Sequence, residues 1–256
     1  MFPLVDCFDG SVLSIETMKK LISTNDTVIA DASLYLQNHD LDLSQIPFDG
    51  IALSFEKMFG FPNIGALVVK NSLISTIKRP YFGGGTLVYA LTETDFEKLR
   101  LSPCERFEDG SLPFISILSL QSGFAFRQLL GIERLQAHVK SIVEHTLSKL
   151  DELVNVNKLK IEVYGTNQES IISFNILDKK SKIIPYQKVI EAASEFDIYL
   201  LGGCHSTPTT CKKSLKTSEN QINEGIGSLQ VSFGWATTKK EIDFLIQFVK
   251  HTAEIS

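Results

Sequence analysis

The alternation of apolar and polar positions divides the chain into short strands and amphipathic helices. Thr27-Val-Ile-Ala30 is a β-branched apolar run that ends at Asp31, and Ile51-Ala-Leu53 is another that ends at Ser54. A Gly/Pro-rich turn, Gly60-Phe-Pro-Asn-Ile-Gly65, then leads into Ala66-Leu-Val-Val69. Phe2-Pro-Leu-Val5 reads as the end of a strand. Over residues 14–22, Ile15, Met18 and Leu21-Ile22 recur at helical spacing. Strand, helix, strand, loop, strand predicts an α/β layer with buried, largely parallel strands. Asn71 is a good cap for a short helix through Lys78.

From Pro113 the period becomes helical. Ile115, Leu118, Leu120 and Phe124 lead to Gly131, and Leu135, Val139, Ile142-Val143, Leu147, Leu150 and Leu153 continue beyond it. This stripe is core packing, and His138 and His145 belong to its surface or edge. The domain boundary is expected here, with residues 1–130 as one domain and 131–256 as a smaller α/β domain. In the second, strands are expected at 159–164, 172–176, 198–201 and 228–235. Ser173 and Asn175 alternate with Ile172, Phe174 and Ile176, which predicts a half-buried strand. Helices are expected at 185–196, near 218–225 and from Thr238.

Composition narrows the class. The chain has 256 residues, 43% hydrophobic and 21% charged, which is ordinary globular composition. A net charge of −5 without any basic run argues against nucleic acid as a partner. No apolar stretch approaches the roughly 18 residues of a membrane span. The first residues lack the basic and apolar regions of a signal peptide. The four cysteines, Cys7, Cys104, Cys204 and Cys211, are few and scattered, which suits a reducing compartment, so a cytoplasmic location is expected. The spacing of Cys204 and Cys211 matches no common zinc pattern, and no metal is expected.

The candidate chemistry centres on Lys57, held where a buried strand gives way to a turn. Such a lysine is either a solvated loop charge or an amine in a partly dry pocket, able to form a Schiff base. Three glycines in Tyr81-Phe-Gly-Gly-Gly-Thr86 permit close backbone approach, with an anion as one candidate.

Six segments carry a resemblance to a known family. They are Ile29-Ala-Asp-Ala-Ser33, Leu53-Ser-Phe-Glu-Lys-Met-Phe-Gly-Phe-Pro62, Tyr81-Phe-Gly-Gly-Gly-Thr86, Arg106-Phe-Glu-Asp-Gly110, Ile172-Ser-Phe-Asn-Ile-Leu-Asp178 and Val231-Ser-Phe-Gly234. In this order they resemble the pyridoxal 5'-phosphate (PLP) domain of molybdenum cofactor sulfurases, within the class V aminotransferase and cysteine desulfurase superfamily. The resemblance implies part of a fold type I PLP-dependent transferase. Its large-domain portion would have a mostly parallel sheet, followed by a smaller C-terminal α/β domain. It places Lys57 at the Schiff-base position, Asp31 opposite the pyridine nitrogen and Ser54 at the cofactor phosphate. Gly85 and Thr86 fall where the family reaches the phosphate of a neighbouring subunit, which implies a homodimer. The implied reaction takes sulfur from L-cysteine through an enzyme persulfide and passes it to the molybdenum cofactor.

The chain departs from that pattern at several positions. The family's loop resembles Arg-Thr-Gly-Cys-Phe-Cys-Asn-Pro-Gly-Ala-Cys, whereas this chain reads Leu201-Gly-Gly-Cys-His-Ser-Thr-Pro-Thr-Thr-Cys211. Ser206 stands at the persulfide position, and a serine hydroxyl forms no persulfide. Cys204, two positions earlier, is either a structural thiol or a possible substitute nucleophile. Leu201 and Gln230 replace two arginines, the second a carboxylate-binding position in related desulfurases. Glutamine does not reproduce a bidentate guanidinium. Glu56 stands where the family usually has tyrosine or histidine. The resemblance also begins in mid-domain, without the aromatic that stacks on the cofactor ring, and the family's C-terminal module is missing. Reduced or absent desulfurase activity is therefore expected. The alternative is a non-catalytic PLP-binding or interaction protein, or a truncated remnant.

Overall fold

The protein is described by a computed structural model. The structure describes residues 1–23, 27–61, 63–79, 81–91, 93–94, 96–217 and 226–255. It forms two compact units, one of Met1–Phe2 with Ile15–Leu129 and one of Pro3–Ser14 with Leu130–Ser256. Residues 3–14 thus cluster with the second unit, although they interrupt the first in sequence.

The first unit holds a four-stranded sheet in the order β1 (Phe2–Pro3), β2 (Ile29–Asp31), β3 (Gly50–Ser54), β4 (Gly65–Val69). Helices α1 (Ile15–Ile22), α2 (Tyr35–Asn38) and α3 (Phe55–Phe59) lie between these strands. β2 and β3 run parallel, with Asp31 opposite Ala52, but β3 and β4 run antiparallel. The sheet is therefore mixed rather than largely parallel. Only residues 55–64 connect β3 to β4, too few for the crossover that parallel neighbours require. Gly60 ends α3 in the left-handed region (φ +77°) and lets the chain turn back.

Helix α4 (Asn71–Ile74) starts at Asn71 rather than being capped by it, and it ends well before Lys78. A hairpin of β5 (Leu87–Leu91) and β6 (Phe96–Leu99) follows, which the apolar pattern does not announce. Long helix α5 (Phe114–Leu130) and α6 (Ile132–Asn155) are separated at Gly131, which takes φ +74°. Arg127 of α5 donates to the carbonyls of Leu36, Gln37 and His39 and pairs with Asp40 at 3.0 Å. It thereby ties down the end of α2 and its orphan carbonyls.

The second unit is an antiparallel sheet in the order β7 (Ile161–Tyr164), β8 (Ile171–Ile176), β10 (Ser228–Ser232), β9 (Leu201–Gly203). Its core joins Leu135, Val139, Ile142 and Leu150 of α6 with Ile172, Phe174, Leu229 and Val249, the last on α9 (Lys239–Ile255). α7 (Tyr186–Ser194) adds Val189 and Ala193. Every residue of β8 is buried, so the half-buried strand expected from alternation is covered on both faces. The second face is closed by residues 3–14 and by α8 (Pro208–Leu215), through a small cluster of Phe8, Tyr164, Cys211 and Leu215. Gly10 permits this approach. It has φ +75°, and a Cβ there would lie 2.4 Å from the Ile171 carbonyl oxygen. The helix expected near 218–225 lies outside the described residues.

Candidate functional site

Three of the sequence-predicted residues gather at one end of the first sheet. Asp31 closes β2 and Ser54 closes β3, and these strands are adjacent and parallel. Their carboxyl ends therefore open side by side, the usual position of a ligand crevice in α/β sheets. Ser54 is the N-cap of α3. Its hydroxyl oxygen accepts from the Lys57 N–H at 3.4 Å, which leaves its own proton free to donate. Asp31 uses Oδ1 to accept from the Ser33 N–H at 2.9 Å, and Gln37 Nε2 donates to the Lys57 carbonyl at 2.9 Å. These local bonds set the turn geometry on which an amine, a carboxylate and a hydroxyl are displayed.

Lys57 is exposed, and among the described residues its ammonium has no ion-pair partner. Of the two readings of this lysine, the first unit alone therefore builds the solvated one. Aromatic side chains pack behind it on the same helix. Phe55 is buried, and Phe59 meets Phe124 edge-to-face at 5.0 Å and Phe55 at 6.1 Å. α3 is thus anchored by its apolar face while Lys57 stays on the open one.

Gly85 and Thr86 sit in a short 3-10 turn before β5. The Thr86 side chain is fully buried and donates to the Gly83 carbonyl at 2.8 Å. A Cβ on Gly85 would lie 3.1 Å from the carbonyl oxygens of Glu108 and Asp109, and one on Gly83 2.9 Å from Asp109 Oδ1. Within the chain, the close approach that these glycines permit is to residues 108–109. Arg79 closes the turn with two 2.6 Å bonds to the Asp109 carboxylate. The pair holds the arginine above its ordinary pKa and the carboxyl below the usual carboxylate range.

The remaining sites lie in the second unit. Ser206 and His205 both adopt left-handed backbone, at φ +62° and +48°, unusual for side-chain-bearing residues. Cys204 and Cys211 form a disulfide, with Cα atoms 5.3 Å apart. In this form Cys204 offers no thiol as a substitute nucleophile. Neither the pairing nor α8, which carries Cys211, follows from the apolar pattern; the short spacing of the two cysteines was the one available signal. His205 is half-buried against Phe8, with Nε2 3.1 Å from the Ser228 hydroxyl, and burial pushes its pKa below the ordinary histidine value. Gln230 is buried on β10, and its amide donates to the carbonyls of Cys7 (2.8 Å) and Phe8 (3.1 Å). Ser173 also donates to the Phe8 carbonyl. Where the resemblance placed an arginine for a substrate carboxylate, Gln230 fastens residues 3–14 to the sheet.

Comparisons with known proteins identify the class. The fold is that of the cysteine desulfurases. An apo cysteine desulfurase from Thermococcus onnurineus NA1 superposes with a TM-score of 0.82 at 21% identity, covering 99% of this chain and 59% of that one. The cysteine desulfurase CsdA from Escherichia coli gives 0.79 at 16% identity, covering 99% and 58%. The family model for aminotransferase class-V matches residues 3–245, so the chain belongs to the aminotransferase class-V family. Curated relatives include proteins named molybdenum cofactor sulfurase. The one from Homo sapiens is 31% identical over 88% of this chain and 29% of its own length. That from Danio rerio is 32% identical over 87% and 30%. The chain thus spans under a third of the length of these relatives.

Proposed function

We propose that this chain keeps the PLP-binding lysine of the class V family and has reduced or no L-cysteine desulfurase activity. The observation that carries this reading is the loop 201–211. It presents a serine hydroxyl at 206, and its two cysteines are bonded to each other. The cofactor reading rests on the donor set at the ends of β2 and β3. Lys57 supplies an amine open to a carbonyl compound. The Asp31 carboxylate would hold a proton on a ring nitrogen, and the Ser54 hydroxyl would donate to a phosphate oxygen. PLP, when bound, would supply an electron sink for a substrate carbanion. Ser206 cannot accept sulfur, and Gln230 is engaged with backbone carbonyls in place of a carboxylate. Sulfur transfer from L-cysteine to the molybdenum cofactor, as the relatives' name implies, is thus a capacity this chain lacks or holds weakly. Homodimer formation and a cytoplasmic location are further parts of this reading.

A non-catalytic interaction role is favoured by one separate observation. α5 exposes Ile115 (86%), Leu118 (74%) and Leu129 (73%), an apolar display that a partner surface would cover.

The test is spectroscopic. Adding PLP to the purified chain is expected to produce a visible absorption band distinct from the free cofactor, and Lys57→Ala is expected to lose it. Identical spectra for the two proteins would end the cofactor reading.

A further inference from the structure

We propose that Cys204 and Cys211 form a second sulfur-handling site that takes a sulfane sulfur atom from a small persulfide and releases it as sulfide. This inference does not depend on PLP.

The geometry distinguishes the two cysteines. Cys204 is partly buried on the loop after β9, whereas Cys211 is fully buried against Phe8 and Leu215. Cys204 is thus the less buried of the two, and an external reactant reaches it before Cys211. The backbone brings Cys211 beneath it. The Thr207 N–H donates to the Cys204 carbonyl at 2.9 Å, the Thr207 hydroxyl to the same oxygen at 3.1 Å, and the Cys211 N–H to the Thr207 carbonyl at 3.0 Å. Thr210 Oγ1 reaches Asp6 Oδ2 at 3.4 Å and holds the start of α8 to residues 3–14. These bonds do not involve the sulfurs, so they favour the same loop when the cysteines are reduced. A resolving thiol is thus held within bonding reach of an accessible one, which gives the intramolecular step a large entropic advantage.

The chemistry balances in two steps. The Cys204 thiolate attacks the outer sulfur of a persulfide, R–S–SH. The S–S bond breaks, R–S⁻ leaves and takes a proton, and Cys204 carries –S–SH. The Cys211 thiolate then attacks the inner sulfur of that group. The Cys204–Cys211 disulfide forms and HS⁻ departs. The transferred sulfur is reduced by two electrons and the two thiols are oxidised by two. A low-molecular-weight thiol such as glutathione resets the site, entering at the accessible Cys204.

The experiment uses the reduced, desalted full chain with glutathione persulfide as probe, and neither PLP nor L-cysteine. The expected result is about one equivalent of sulfide per chain, together with loss of two titratable thiols. In Cys211→Ser a persulfide is expected to accumulate on residue 204, read by intact-protein and peptide mass spectrometry. Cys204→Ser is expected to release sulfide at the rate of a no-protein control. Cys204→Ala and Cys211→Ala, with folding checked by circular dichroism, separate chemistry from instability. Sulfide release that persists in folded Cys204 variants would overturn the proposal. So would a stable persulfide on wild-type Cys204, or a reduced chain that consumes no thiol. Because neither cofactor nor amino acid is present, failure of the PLP reading leaves this result unaffected.

Discussion

Gln230 lies fully within the second unit, where its amide supplies hydrogen bonds to the Cys7 and Phe8 carbonyls. Removing a buried donor leaves its acceptors desolvated, at a cost of about 1–3 kcal/mol. Gln230→Met keeps the side chain's length without its donors, and its unfolding free energy is expected to fall by that amount, read as a lower urea midpoint at an unchanged slope. His205 gives a pH signature. Burial holds its folded pKa below the ordinary histidine value of 6.5, so the unfolded chain binds the proton first. Stability is expected to decline as pH falls from about 6.5 toward the folded value, and to decline no further from this group below it. Comparing His205→Gln with wild type in denaturant melts across that range isolates the effect; identical pH slopes would refute it. At this scale the sequence reveals residue types better than their partners. Ser206 and Gln230 were evident as departures from the resemblance. That Gln230 binds backbone 222 residues away in sequence was not, because nothing local encodes such a contact.

Among the elements, α6 and the strands of the second unit were the most legible, since a long helical stripe and alternating runs reflect burial directly. Residues 3–14 were the least. The run Phe2 to Val5 reads as a strand end, but its neighbours Phe8 and Gly10 serve as a cover for a distant sheet. That cover is also why Ser173 and Asn175, polar by pattern, are fully buried. The β3–β4 reversal was implicit in the short connection, yet the apolar runs alone suggest parallel strands. In the first unit Arg127 joins α5 to the end of α2 through charge-assisted bonds to three carbonyls. Arg127→Ala is expected to destabilise this unit by about 2–3 kcal/mol. Faster hydrogen exchange at residues 35–40, with exchange in the second unit unchanged, would report it.

For the whole molecule, we propose a class V fold that keeps the cofactor-binding residues and has its sulfur-accepting residue replaced. The two units carry different parts of that account. Lys57, Asp31 and Ser54 stand on the first, and Ser206, Gln230 and the Cys204–Cys211 disulfide on the second. The family and fold were legible in short motifs spread along the chain, because those motifs sit at strand ends and tight turns where few residues fit. The disulfide was not, since the few scattered cysteines suited a reducing compartment. The central claim is that PLP binds without productive removal of sulfur from L-cysteine. The most direct measurement is alanine formed from L-cysteine by the PLP-loaded full chain, compared with Lys57→Ala under the same conditions. The account predicts alanine from the wild type at less than tenfold the background set by the variant. Alanine formation by the wild type at tenfold or more above the variant would contradict it.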